Sequence, residues 1–205
     1  MRSKLILAGL AAALVMAFAA NSASARNISI SHGALFNAQW RELRFDNGGA
    51  TAFACDVTLE GSFHYRTFLK VRESLLGYIT RAIVNNCVNG GSATVLTTNL
   101  PWHIRYQGFQ GTLPNISGIR MRLILVEFQL KDRIFGSTCL SRSTNVDPAE
   151  MVARLEAGTQ RRLTTGLTAD PTATNMRCTI TFDLEGTARV TELPNGTTNL
   201  LVRLI

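Results

Sequence analysis

The chain has 205 residues, of which 21 are Lys or Arg and 14 are Asp or Glu, giving a formal net charge of +7. With 46% hydrophobic and 17% charged residues it is too apolar for a disordered polyelectrolyte and has enough material for a core. Arg161-Arg162 is the one adjacent basic pair, so the charge pattern implies no specific nucleic-acid partner.

The chain opens on a basic start, Arg2 and Lys4, followed by an uncharged run from Leu5 to Ala20. That run is shorter than the roughly 20 residues a membrane-spanning helix needs. Ala23-Ser24-Ala25 then offers small side chains in an A-x-A cleavage pattern. Residues 1–25 are expected to be a secretory signal peptide, cut between Ala25 and Arg26, and residues 26–205 a single secreted β-domain. The mature form would have no membrane span, and without Arg2 and Lys4 its charge falls to about +5.

Strand signals dominate the mature chain. Ile28 and Ile30 alternate with serines, and Leu43 and Phe45 flank Arg44 before the turn signal Asp46-Asn47-Gly48-Gly49. Phe53, Cys55, Val57 and Leu59 form one side of a period-2 pattern, so Cys55 is expected to point into the core. Asn89-Gly90-Gly91 marks another turn, followed by a strand at Ala93 to Thr98. Trp102, Ile104 and Tyr106 share one face of the next strand, with His103, Arg105 and Gln107 on the other.

Ile119 to Lys131 is the longest strand signal, and its apolar phase slips by one near Leu125-Val126, as a β-bulge would produce. Asn145 to Gly158 is the one helix candidate, with Asp147 as cap, Pro148 at the first position and Glu150 completing a capping box. Met151, Ala153 and Leu155 also alternate, leaving helix and strand both open at 147–157. Arg161 to Asn175 reads as a long loop or weak edge strand. Ala188 to Leu193 and Leu200 to Ile205, on either side of Pro194-Asn195-Gly196, read as a closing hairpin. About ten short strands and at most one short helix predict an all-β, disulfide-stabilised antiparallel sandwich or barrel.

Four cysteines, Cys55, Cys87, Cys139 and Cys178, lie after the cleavage site. In an oxidising compartment an even count reads as two disulfides. Sequence leaves three pairings open; Cys55–Cys87 with Cys139–Cys178 is the expected one, each bond closing a loop of about 30–40 residues. No C-x-x-C occurs and no His stands at ligand spacing from a Cys, so no metal site and no cofactor are expected.

The pieces Cys55-x-Val57-Thr58-Leu59-x-Gly61-Ser62, Cys87-x-x-Gly90-Gly91-x-Ala93-Thr94-Val95-Leu96, Leu100-Pro101-Trp102-x-Ile104-x-Tyr106 and Gly111-Thr112-Leu113-Pro114-Asn115-Ile116 resemble small secreted β-rich bacterial proteins of no characterised family. The resemblance implies export, strands and paired cysteines, and a wholly β structure around Asp147. It carries no activity and no site residues.

Catalytic signals are weak. His32, His64 and His103 are expected in turn or surface roles, because no H-E-x-x-H or comparable spacing is present. Gly90-Gly91-Ser92-Ala93-Thr94 approaches a nucleophile elbow but ends in Thr, and a turn accounts for its glycines. Trp102 and Tyr106 are expected to be core, since Ile104 lies between them. The expectation is therefore a secreted, non-catalytic β-domain that binds or scaffolds outside the cell or at its surface. One alternative is a hydrolase of wall or polysaccharide material, which needs at least two of Asp56, Glu60, His64, His103, Asp183 and Glu185 together in a pocket. The other is a binder of cell-wall or other anionic polymers through Arg residues, which needs Arg105, Arg120 and Arg122 on one patch.

Overall fold

A computed structural model describes residues 27–30, 34–46, 52–112, 115–131, 138–146, 148–154, 167–169, 183–194 and 202–204. The expected signal peptide with its Ala25/Arg26 cut, His32, Cys178 and most of 161–175 lie outside the described residues.

The described residues form fifteen strands and one 3-10 turn, Thr97–Asn99. In chain order the strands are β1 (Asn27–Ile30), β2 (Leu35–Asp46), β3 (Phe53–Phe63), β4 (Thr67–Leu69) and β5 (Leu75–Val88). Then come β6 (Ser92–Val95), β7 (Trp102–Thr112), β8 (Asn115–Ile124), β9 (Glu127–Lys131) and β10 (Thr138–Arg142). The last are β11 (Ala149–Arg154), β12 (Leu167–Ala169), β13 (Asp183–Glu185), β14 (Thr187–Glu192) and β15 (Val202–Leu204).

The long strands pair antiparallel with their neighbours in the chain. β2 pairs with β3, β3 with β5, β5 with β7 and β7 with β8. β8 pairs with β11, β11 with β12 and β12 with β14; β14 then returns to β2, closing the curled sheet into an up-and-down barrel. β13 lies beside β14 along the same edge of β2. Closure removes the free edges an open sheet would present.

Bulges bend the wall. β2 carries one between Trp40 and Leu43, which returns both side chains to the interior despite their odd spacing. β5 is displaced against its neighbours near Leu75/Gly77, between Ile79 and Arg81, and between Asn85 and Val88. Each extra residue adds local twist and turns the strand round the barrel.

The interior is filled by side chains. Phe36, Trp40, Phe53, Val57, Ile79, Trp102, Ile104, Ile119 and Met151 belong to one contiguous buried cluster. Two three-stranded sheets, built from the connections, complete it. β6, β9 and β10 join the end where β5 and β8 finish, and Phe128 there meets Phe45 at 6.0 Å and Trp102 at 5.6 Å, both edge-on. At the opposite end β4, β1 and β15 pair, with Ile28 and Ile30 buried. Gly61 and Gly77 bring β3 and β5 close: a Cβ would lie 2.1 Å from Tyr78 O at Gly61 and 2.1 Å from Ser62 O at Gly77.

The disulfide Cys55–Cys87 is formed, and Cys55 points into the core as its pattern predicts. Cys139 lies on β10, and its expected partner Cys178 is outside the described residues. The Asn89-Gly90 turn is present, with φ of 65° and 80°.

Within 147–157, where the sequence allows helix or strand and the resemblance implies strand, Ala149 to Arg154 form strand β11: they pair with Leu123 to Gly118, so sheet partners outweigh the local capping signal. Two expectations are corrected. The phase slip at Leu125-Val126 is a strand break, not a bulge. Leu125 has φ 71° and is partly exposed, and the chain passes from the barrel into the end sheet. Ser143 ties this break: its N–H donates to Val126 O at 2.9 Å and its hydroxyl accepts from Val126 N–H at 2.9 Å. Finally, β14 and β15 are not a hairpin; β14 joins the barrel and β15 pairs with β1. Within 161–175, expected as a long loop or weak edge strand, Leu167–Ala169 is strand β12, paired on both sides, with β11 and β14.

Candidate recognition surface

The outward side chains of β5, β7 and β8 bring most of the chemistry onto one face. Alternation on β7 buries Trp102, Ile104 and Tyr106 and turns His103, Arg105 and Gln107 outward. The two expected core aromatics are therefore core, and burial pushes the Tyr106 phenol above its ordinary range.

Across the strands, Tyr78 stands opposite His103, and their rings are 5.2 Å apart at 67°. His64, just beyond the end of β3, meets the other side of Tyr78 at 4.9 Å and 70°, and Tyr65 lies 5.8 Å from His64. Two of the three histidines thus flank one tyrosine in a row of edge-to-face rings.

Two residues further along β7, Arg105 stands directly opposite Arg122 of β8. Like charges in this position repel unless something negative separates them. Arg122 donates to Glu73 Oε1 at 2.8 Å, and Glu73 is held there by a φ of 66° and by its N–H bond to Tyr106 O. Arg120 donates to Glu150 Oε2 at 2.9 Å. Arg105 has no carboxylate partner among the described residues, and its Nε is buried without an acceptor. The Nε of Arg122, the Oγ of Ser74 and the Oε1 of Gln107 are buried and unpartnered too. A register shift between Tyr106 and Gly108 directs Gln107 and Gly108 outward beside this group.

The other candidates do not converge. Asp56 accepts from Asn86 at 2.9 Å, and Glu60 accepts from Arg81 at 3.1 Å, four residues apart on an exposed face. Asp183 and Glu185 lie on β13, opposite Asp46 and Arg44. Ser92 begins β6 after the turn. Among the described residues, no group of three His, Cys, Asp or Glu stands where it could hold a metal ion, and no helix is long and apolar enough to cross a membrane.

Sequence reasoning names His64, His103, Arg105, Arg120 and Arg122 but not Glu73, Ser74 or Tyr78. Tyr78 carries a faint signal as a polar aromatic between Gly77 and Ile79; Glu73 has none, since its place depends on the backbone turn. Alternation puts Glu127 among the polar positions of its strand, yet it is buried. It accepts from Arg142 Nη2 at 2.6 Å and Nε at 3.1 Å, and from the Asn99 amide, fixing the 3-10 turn to the end sheet. Comparison with known protein families, curated proteins and solved structures finds no match.

Proposed function

We propose that this chain is an exported, non-catalytic β-barrel domain that binds an anionic polymer through the outer face of β5, β7 and β8. The observation that carries the reading is Arg105, a guanidinium facing a second arginine with no carboxylate of its own among the described residues. An incoming oxyanion would relieve the repulsion and give the guanidinium a charge-assisted partner. The Cys55–Cys87 bond supports an oxidising compartment, and therefore export. The filled interior supports recognition on the outside of the barrel rather than in its lumen.

The test is backbone amide shift mapping during titration with an anionic polymer such as polygalacturonate or polyphosphate. The expected changes cluster on β5, β7 and β8 around Arg105. Changes scattered over the barrel, or their absence with every polymer, would refute the reading.

A further inference from the structure

Resting on that reading, we infer that the ligand is a glycan bearing carboxylates, with one acidic sugar seated across Tyr78, His103 and Arg105. The ring pair and the Arg105 guanidinium, which has no carboxylate partner among the described residues, are neighbours by register. Tyr78 is opposite His103, and His103 and Arg105 are alternate residues on the same face of β7. Alternate residues on a strand lie about 7 Å apart, which is the reach of a pyranose ring and its carboxylate. A sugar presents C–H groups on its faces and hydroxyls at its rim. Tyr78 and the two imidazoles beside it, inclined at 67° and 70°, together carry aromatic surface for its C–H groups and ring nitrogens that exchange hydrogen bonds with its hydroxyls.

The charge arrangement selects among anions. Arg122 and Arg120 already hold Glu73 and Glu150, so among the described residues of this group Arg105 is the guanidinium left to take one isolated negative charge. A nucleic acid brings a phosphate at every step and would meet those two carboxylates. A neutral glycan would offer the Arg105 guanidinium only uncharged hydroxyl acceptors, which bond it about half as strongly as a carboxylate does.

The experiment is calorimetric titration of the purified protein with short galacturonic acid oligomers, the same oligomers as methyl esters, and oligothymidylate. Binding to the acid form is expected, at least tenfold weaker to the ester and tenfold weaker for Arg105→Gln. Arg105→Lys should recover part of that loss, and Tyr78→Ala should weaken binding several-fold. Near-UV circular dichroism checks that each variant is folded; should Arg105→Gln fail to fold, Arg105→Lys and Tyr78→Ala carry the test. Equal affinity for the ester, or tighter binding of oligothymidylate, overturns the acidic sugar but leaves the surface in place. Unchanged binding in Arg105→Gln and Tyr78→Ala overturns both the sugar and the surface. No binding of the acid oligomer overturns the inference.

Discussion

Replacing Cys55 and Cys87 together by alanine tests how the barrel wall is held. The bond joins residues 32 apart in sequence. Restricting a loop of that size in the unfolded chain is worth about 3.7 kcal/mol at 25 °C. The bond sits at the end of the β3–β5 pairing furthest from the β4 connection, where two residues of β5 face Cys55. The paired residues from Asp56↔Asn85 to Phe63↔Gly77 need no sulfur to keep their register, so the double variant should fold to the same barrel. For a chain of this length each kcal/mol moves the melting temperature by roughly 2–4 °C. The variant should therefore melt about 7–15 °C lower, and its urea m-value should rise because the unfolded chain is less compact. Trp40 and Trp102 are buried in the barrel, so their fluorescence reports the transition. A shift below about 2 °C, or free thiols at both positions in the native protein, would refute the reasoning.

Gly77→Ala should destabilise by about 2–3 kcal/mol, because its methyl would press on the backbone of Ser62 and Phe63, whereas Gly108→Ala meets nothing within 4 Å and should be near neutral. Equal urea midpoints for the two would show that β3 and β5 do not approach so closely. Glu127→Ala removes the acceptor of Arg142 and Asn99 and should lose about 2 kcal/mol by urea unfolding, less than a fully buried pair because Arg142 is half exposed. Wild-type stability in that variant would mean the buried carboxylate does not fix the 3-10 turn.

The fold class was legible because several strands keep a clean period of two. Phe53 to Leu59 and Trp102 to Tyr106 show their buried faces directly in the residue order. β5 shows no such pattern, although it is the longest strand. Its buried apolar side chains Leu76, Ile79 and Ala82 are spaced by three, as on a helix, because the register shifts reset the phase. β4, with three residues, is too short for periodicity to mark it; β6 and β15 are marked by the turn signals before them, but which strands they pair with is not. The surface was half legible. Arg105, Arg120 and Arg122 could be assigned outward from alternation alone, but which strands become neighbours is a property of the barrel. Tyr78 beside His103, and Glu73 against Arg122, arise from pairing between segments about 25 and 49 residues apart.

The pairing of β1 with β15 sets an order of assembly. Ile28 lies opposite Leu204, so the first described strand cannot complete its sheet until residues 202–204 are available. A chain synthesised from its N-terminus would keep β1 waiting, held by β4 alone, while the barrel strands emerged one by one. Residues 202–204 would then act as a latch: the barrel wall can form before they arrive, but the end over Ile28 and Ile30 closes only behind them.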